Sequence, residues 1–101
     1  MCKKIVTIKN RTFTLITDNL TPKEVEVLIA SRISDFSDAY DEGTWSFDVQ
    51  EKCKLPVKSY GGVVASLVKK GYVTIYDYER FGRFRDMVFV LTDKGRNLFI
   101  E

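Results

Sequence analysis

Nine consecutive residues, Tyr78-Glu79-Arg80-Phe81-Gly82-Arg83-Phe84-Arg85-Asp86, interleave three arginines with aromatic rings around a single glycine. Guanidinium groups bind phosphate through a fixed fork, and in a narrow minor groove they respond to its width and negative potential. Phe81 and Phe84 can pack on sugars or on the protein itself. Upstream, Lys54, Lys58, Ser59 and Tyr60 form a second polar group. Lys58 can meet a guanine edge or a phosphate, Ser59 either of these, and Tyr60 a phosphate or a thymine methyl. The chemistry on offer is binding to a polyanion. The competing assignment pairs the arginines with Asp77, Glu79 and Asp86 on the surface, which contributes little energy.

Catalysis is not indicated. The chain has no histidine, which removes the commonest general acid/base and the commonest zinc ligand together. Cys2 and Cys53 have no partner motif and are expected to be a terminal thiol and a semi-buried helix residue in a reducing compartment. No activated nucleophile or phosphate loop is visible, so no catalytic residue, cofactor or metal is expected. Asp35, Asp38, Asp41 and Glu42 lack the alternating spacing of a calcium loop. They read as a solvated acidic face or as a patch for a basic protein.

The net charge of +2 conceals an asymmetry. Before residue 17 the charges are Lys3, Lys4, Lys9 and Arg11, all positive; residues 17–51 carry two positive against nine negative; from Lys52 onward ten positive face five negative. Basic charge thus gathers in the half that holds Lys54 to Arg85, as in a domain that meets polyanion on one side. With 101 residues and 45% apolar content the chain is one small domain with one core. No apolar run approaches the ~18 residues that span a bilayer, and no signal-peptide core follows Met1. A cytoplasmic protein without membrane contact is the expectation.

The elements that must position these groups follow from periodicity. Leu55, Val63, Val64, Leu67 and Val68 recur at helical spacing, with Pro56 at the entry and Gly71 as the stop, which predicts a helix over 56–70. Tyr72 to Tyr76 and Met87 to Leu91 are β-branched and aromatic runs, which predict a hairpin over 72–92 with the arginines at its tip. Ile5 to Ile16 alternates as an N-terminal hairpin over 1–17. A turn at Asn10-Arg11 pairs Ile8 with Phe13 and Val6 with Leu15, and the apolar face must be covered by the first helix or by a second copy. Thr21-Pro22-Lys23-Glu24 is a capping box opening a helix over 21–40 with Val25, Leu28, Ile29, Ile33 and Phe36 as its stripe. A helix over 46–54, capped by Ser46, buries Val49 and Cys53, and Thr92 caps a last helix over 93–100 with Leu98 and Phe99 inward.

Helix, turn, helix and hairpin in this order form an α+β winged helix-turn-helix: a three-helix core and a β-hairpin wing, with an extra N-terminal hairpin and a short C-terminal helix. Leu67-Val68-Lys69-Lys70-Gly71-Tyr72-Val73 resembles the end of the recognition helix and the start of the wing in bacterial regulators of the MarR and PadR types. Val90-Leu91-Thr92-Asp93-Lys94-Gly95 is similar to the segment in which their second wing strand turns into the next helix. The resemblance covers about half the chain. It implies that a short strand around Thr44-Trp45-Ser46-Phe47 completes the wing sheet, with Trp45 and Phe47 as core residues.

It also implies a small regulator of transcription that binds double-stranded DNA; the compactness of the chain, with no effector domain attached, adds an accessory factor of a phage or mobile element as an expectation. Arg80, Arg83 and Arg85 would meet backbone and minor groove while Lys54, Lys58 and Ser59 position the helix, with Tyr60 beside them. The last helix is too short to dimerise in the manner of those families, which leaves the N-terminal hairpin as the surface for a homodimer. Gly61 and Gly62 depart from the pattern, since two glycines inside a helix cost roughly 1 kcal/mol each against alanine. A partner approaching the backbone closely, a helix that starts later, or internal packing that needs the gap would each account for them. A module that binds protein, through the acidic first helix or the Gly61-Gly62 surface, is the alternative.

Overall fold

The computed structural model describes residues 2–34, 43–80 and 84–101, with the side chains of 77–80 and 84–86 left aside. The expected acidic group Asp35, Asp38, Asp41 and Glu42, and Phe36, Phe81 and Arg83, lie outside the described residues. The elements run β1 (Lys3–Ile8), β2 (Arg11–Ile16), α1 (Pro22–Ile33), β3 (Gly43–Trp45), α2 (Ser46–Cys53), α3 (Val57–Lys69), β4 (Val73–Arg80), β5 (Phe84–Leu91), α4 (Asp93–Arg96) and β6 (Phe99–Ile100). The described residues thus form an α+β fold of four helices and two antiparallel three-stranded sheets, ordered β1-β2-β6 and β3-β5-β4.

The first hairpin turns at Lys9 and Asn10, both at positive φ (51° and 67°), as a two-residue turn that matches strand twist requires. Val6 therefore pairs with Phe13 and Ile8 with Arg11, not with Leu15 and Phe13 as a turn at Asn10-Arg11 would have it. Because side chains alternate with period two, this slip keeps Val6, Ile8, Phe13 and Leu15 on one buried face. The chain covers that face itself, with α1 packed on β1 and Val27, Leu28 and Phe99 in the same core cluster.

β6 replaces the second half of the expected last helix. After the single turn of α4, Phe99 pairs with Leu15 and Ile100 with Thr14. Pairing with the open edge of β2 satisfies backbone groups and lets Phe99 meet the Phe13 ring edge-on at 6.0 Å. The Arg32 guanidinium lies 4.9 Å from the Phe13 ring and 5.0 Å from that of Phe99, and Arg11 forms an exposed ion pair with Glu101.

α1 opens as expected: Thr21 accepts from the Glu24 amide while Glu24 accepts from the Thr21 amide, with Pro22 in the first turn. It ends at Ile33, because Ser34 turns to extended backbone (ψ 138°). Val25, Val27, Leu28 and Ala30 are buried and Ile33 is exposed, so the inward stripe is rotated from the expected one. Ser34 explains the stop. Its hydroxyl is buried against Asp48 and Thr44, and leaving those polar groups unpaired inside the core would be costly.

In the second sheet β3 pairs with β5, setting Thr44 opposite Phe89 and Trp45 opposite Val88. Thr44, not Trp45, points inward (3% exposed); Trp45 is half-buried and Phe47, already in α2, is 47% exposed. These two aromatics are therefore not core residues. They stack at 6.4 Å on the outside. Val49 and Cys53 are buried as expected, and Lys54 ends α2 in the left-handed region (φ 60°).

Candidate nucleic-acid interface

The candidate surface is α3 with the α2–α3 turn before it and the β4–β5 hairpin after it. Pro56 precedes its first turn, and the Tyr60 amide donates to the Pro56 carbonyl at 2.9 Å. Gly71 ends it at φ +86°. The Gly71 amide donates to Val68 (3.0 Å) and the Tyr72 amide to Leu67 (3.1 Å), the paired bonds of a left-handed helix stop. Tyr60, Val64 and Leu67 form the buried side. Val68, expected inward, is 42% exposed, and Tyr60 takes its place in the stripe.

Among the described residues, contacts at both ends hold this helix. At its start, the Tyr60 hydroxyl donates to the Ser46 carbonyl (3.1 Å) and shares a 2.7 Å bond with the Ser46 hydroxyl. Gln50 Nε2 donates to the Leu55 carbonyl at 2.9 Å and braces the turn. At its end, the Lys70 ammonium lies 2.8 Å from the Glu24 carboxylate, which also accepts from Ser66 Oγ at 2.8 Å. Finally, Thr92 donates its hydroxyl to the Gly71 carbonyl (2.6 Å) and Lys94 its ammonium to the Lys70 carbonyl (2.9 Å). The Thr92-Asp93-Lys94-Gly95 segment thus caps α3 from outside.

Two ionisable groups are shifted by these contacts. Burial alone would raise the Glu24 carboxyl, but hydrogen bonds from Lys70, the Thr21 amide and Ser66, with the Lys70 charge, hold it below its ordinary value. Burial pushes the Tyr60 phenol up to about 12 against the lowering effect of Ser46.

The expected site residues divide accordingly. Lys54 and Lys58 are exposed, and Ser59 is half-buried. Tyr60 is a correction: it is 8% exposed, with its hydroxyl spent on Ser46, because the helix turns it into the core. For the same reason Ser46 does not cap α2; Trp45 holds the cap position without a side-chain bond. Arg80 and Arg85 stand on β4 and β5 at the end of the hairpin, where the register sets Arg80 opposite Phe84 and Arg85 opposite Glu79.

Lys58, Gly61, Gly62, Ala65 and Lys69 are all exposed, and at about 100° per residue they share one face of α3. Among the described residues, a Cβ built on Gly61 or Gly62 meets nothing within 4 Å. Lys69 joins this face as well, and residue type alone does not single it out. Its helical spacing from Lys58 is visible in the sequence, but that this face stays uncovered is not. Lys70 and Lys94, by contrast, are engaged with Glu24 and the Lys70 carbonyl. Among the described residues no helix is long and apolar enough to cross a membrane.

Compared with protein-family models, with curated proteins and with solved structures, the chain matches none of them.

Proposed function

We propose that this chain is a winged-helix DNA-binding protein without catalytic activity, acting in the cytoplasm as a transcriptional regulator or a phage or mobile-element accessory factor. α3 would lie in the major groove, with Lys54 and Lys58 on flanking phosphates, and the β4–β5 hairpin would be the wing that carries Arg80 and Arg85 to the backbone and minor groove.

The observation that carries this reading is the open surface at Gly61 and Gly62. The helix begins at Val57, before both glycines, so a later start does not account for them. Among the described residues nothing occupies the space that side chains would take, which speaks against internal packing as well. Of the three explanations, the open surface supports a partner that comes close to the helix backbone. The lysines at 54, 58 and 69 favour a polyanionic partner over an apolar or basic one.

The test is binding of the purified protein to a duplex pool at several salt concentrations, beside an Arg80→Ala/Arg85→Ala variant. Affinity should fall steeply with salt, by a slope of about 0.9 per phosphate contact, and the variant should lose part of both affinity and slope. No binding at low salt by folded protein rejects the DNA reading and redirects the Gly61-Gly62 face to a protein partner.

A further inference from the structure

Resting on the DNA reading, we infer that α3 reads no base sequence and that duplexes of unrelated sequence are bound equally through this helix. Base edges are distinguished in the major groove mainly by hydrogen bonds from a small set of side chains, Arg or Lys on guanine, Asn or Gln on adenine, Asp or Glu on cytosine, with Ser or Thr less selective and apolar groups touching only the thymine methyl. From Val57 to Lys69 the helix is VKSYGGVVASLVK, which contains no Arg, Asn, Gln, Asp or Glu. The two turns that enter a groove first are poorer still. Val57, 74% exposed, has no hydrogen-bonding side chain. Ser59 is half-buried. Tyr60 is turned into the core, and its hydroxyl is committed to both oxygens of Ser46. Gly61 and Gly62 have nothing to read with.

That leaves Lys58 near the N-terminus and Lys69 near the far end, about 16 Å away along the axis at 1.5 Å per residue. Lysine is a flexible point charge that meets a phosphate as readily as a base. A single bidentate pair to a base edge discriminates by roughly 5- to 150-fold, and α3 has no group other than these lysines that could form one. Beyond a weak thymine-methyl contact open to Val57, a preference shown by the protein is assigned to groove shape sensed by the hairpin.

The experiment compares the full chain, its Lys58→Met variant and its Arg80→Ala/Arg85→Ala variant on several duplexes of equal length and unrelated sequence, at two salt concentrations. Affinities of the unmodified protein within about threefold of each other support the inference. So does a uniform loss in Lys58→Met, with the salt slope reduced by about one. A preference that vanishes in the hairpin variant belongs to the hairpin and also supports it. A duplex bound a hundredfold more tightly, with the preference kept in the hairpin variant and lost in Lys58→Met, overturns the inference and leaves the DNA reading in place. Absence of binding to every duplex at low salt overturns both.

Discussion

The Glu24 carboxylate and the Lys70 ammonium lie 2.8 Å apart although 46 residues separate them. This pair ties the first turn of α1 to the end of α3, so the helix proposed to meet DNA is oriented partly by a charge inside the protein. The two partners are not equivalent. Glu24 is 1% exposed, while the Lys70 side chain is 29% exposed and also donates to the Asn19 carbonyl at 2.7 Å.

That inequality makes the two deletions unequal. Lys70→Met strands a buried carboxylate and should destabilise by about 3 kcal/mol. Glu24→Gln keeps one oxygen to accept from the Thr21 amide, presents an amide N–H that the Ser66 hydroxyl can accept, and lets Lys70 turn toward water, at a cost of about 1 kcal/mol. Urea unfolding of the two variants measures the difference, and equal losses would show that the pair is not effectively buried.

The same pair predicts an acid dependence. In the folded protein Glu24 titrates below its ordinary value of 4.5, so between the folded and unfolded values the unfolded chain holds a proton that the folded chain does not. Stability therefore rises with pH across that interval. The contribution is complete above the unfolded value and is lost as pH falls through the folded one. Urea midpoints followed from neutral pH into this acid range should decline, and Glu24→Gln should decline less.

Gly61 and Gly62 should behave as positions where stability and binding oppose each other. Alanine fits at either without contact and should stabilise the helix by roughly 1 kcal/mol, which raises Tm by about 4–8 °C in a domain of this size. Duplex binding by the double variant should weaken because the backbone is held away from its partner. A stabilised double variant with unchanged affinity would remove the main support for contact at this face.

Gly95 should show the opposite pattern. A Cβ there would lie 2.1 Å from the Tyr72 carbonyl oxygen, and the obstacle is backbone that cannot rotate aside. Gly95→Ala is expected to destabilise by about 2–3 kcal/mol, as overpacking does, by pushing the capping segment off the end of α3. Thermal or urea denaturation checks this.

Tyr60 separates a structural role from a contact role. Tyr60→Phe removes a buried hydroxyl and leaves Ser46 short of a partner, for a loss of about 1 kcal/mol, while duplex affinity stays within about twofold. Reduced affinity at unchanged stability would return Tyr60 to the binding surface.

Much of the fold is legible in the chain because the signals are local. Thr21, Pro22 and Glu24 satisfy one another's amides and constraints within a single turn, so the start of α1 needs no tertiary information. Pro56 and Gly71 bracket α3 by their own backbone geometry, and alternation finds β4 and β5. The candidate lysines were legible by type, and the bareness of Gly61-Gly62 was visible as an anomaly. Tertiary structure decided the rest, because each remaining question concerns a partner distant in sequence. Ser34 stops α1 by bonding Asp48 and Thr44; Phe99 leaves helix for strand because β2 offers an open edge and Phe13 a ring. Tyr60 is core and not surface because Ser46 stands across from it. Periodicity finds a helix and its apolar stripe, but stripes that can be rotated by one residue at similar burial are chosen only when side chains from other elements pack against them.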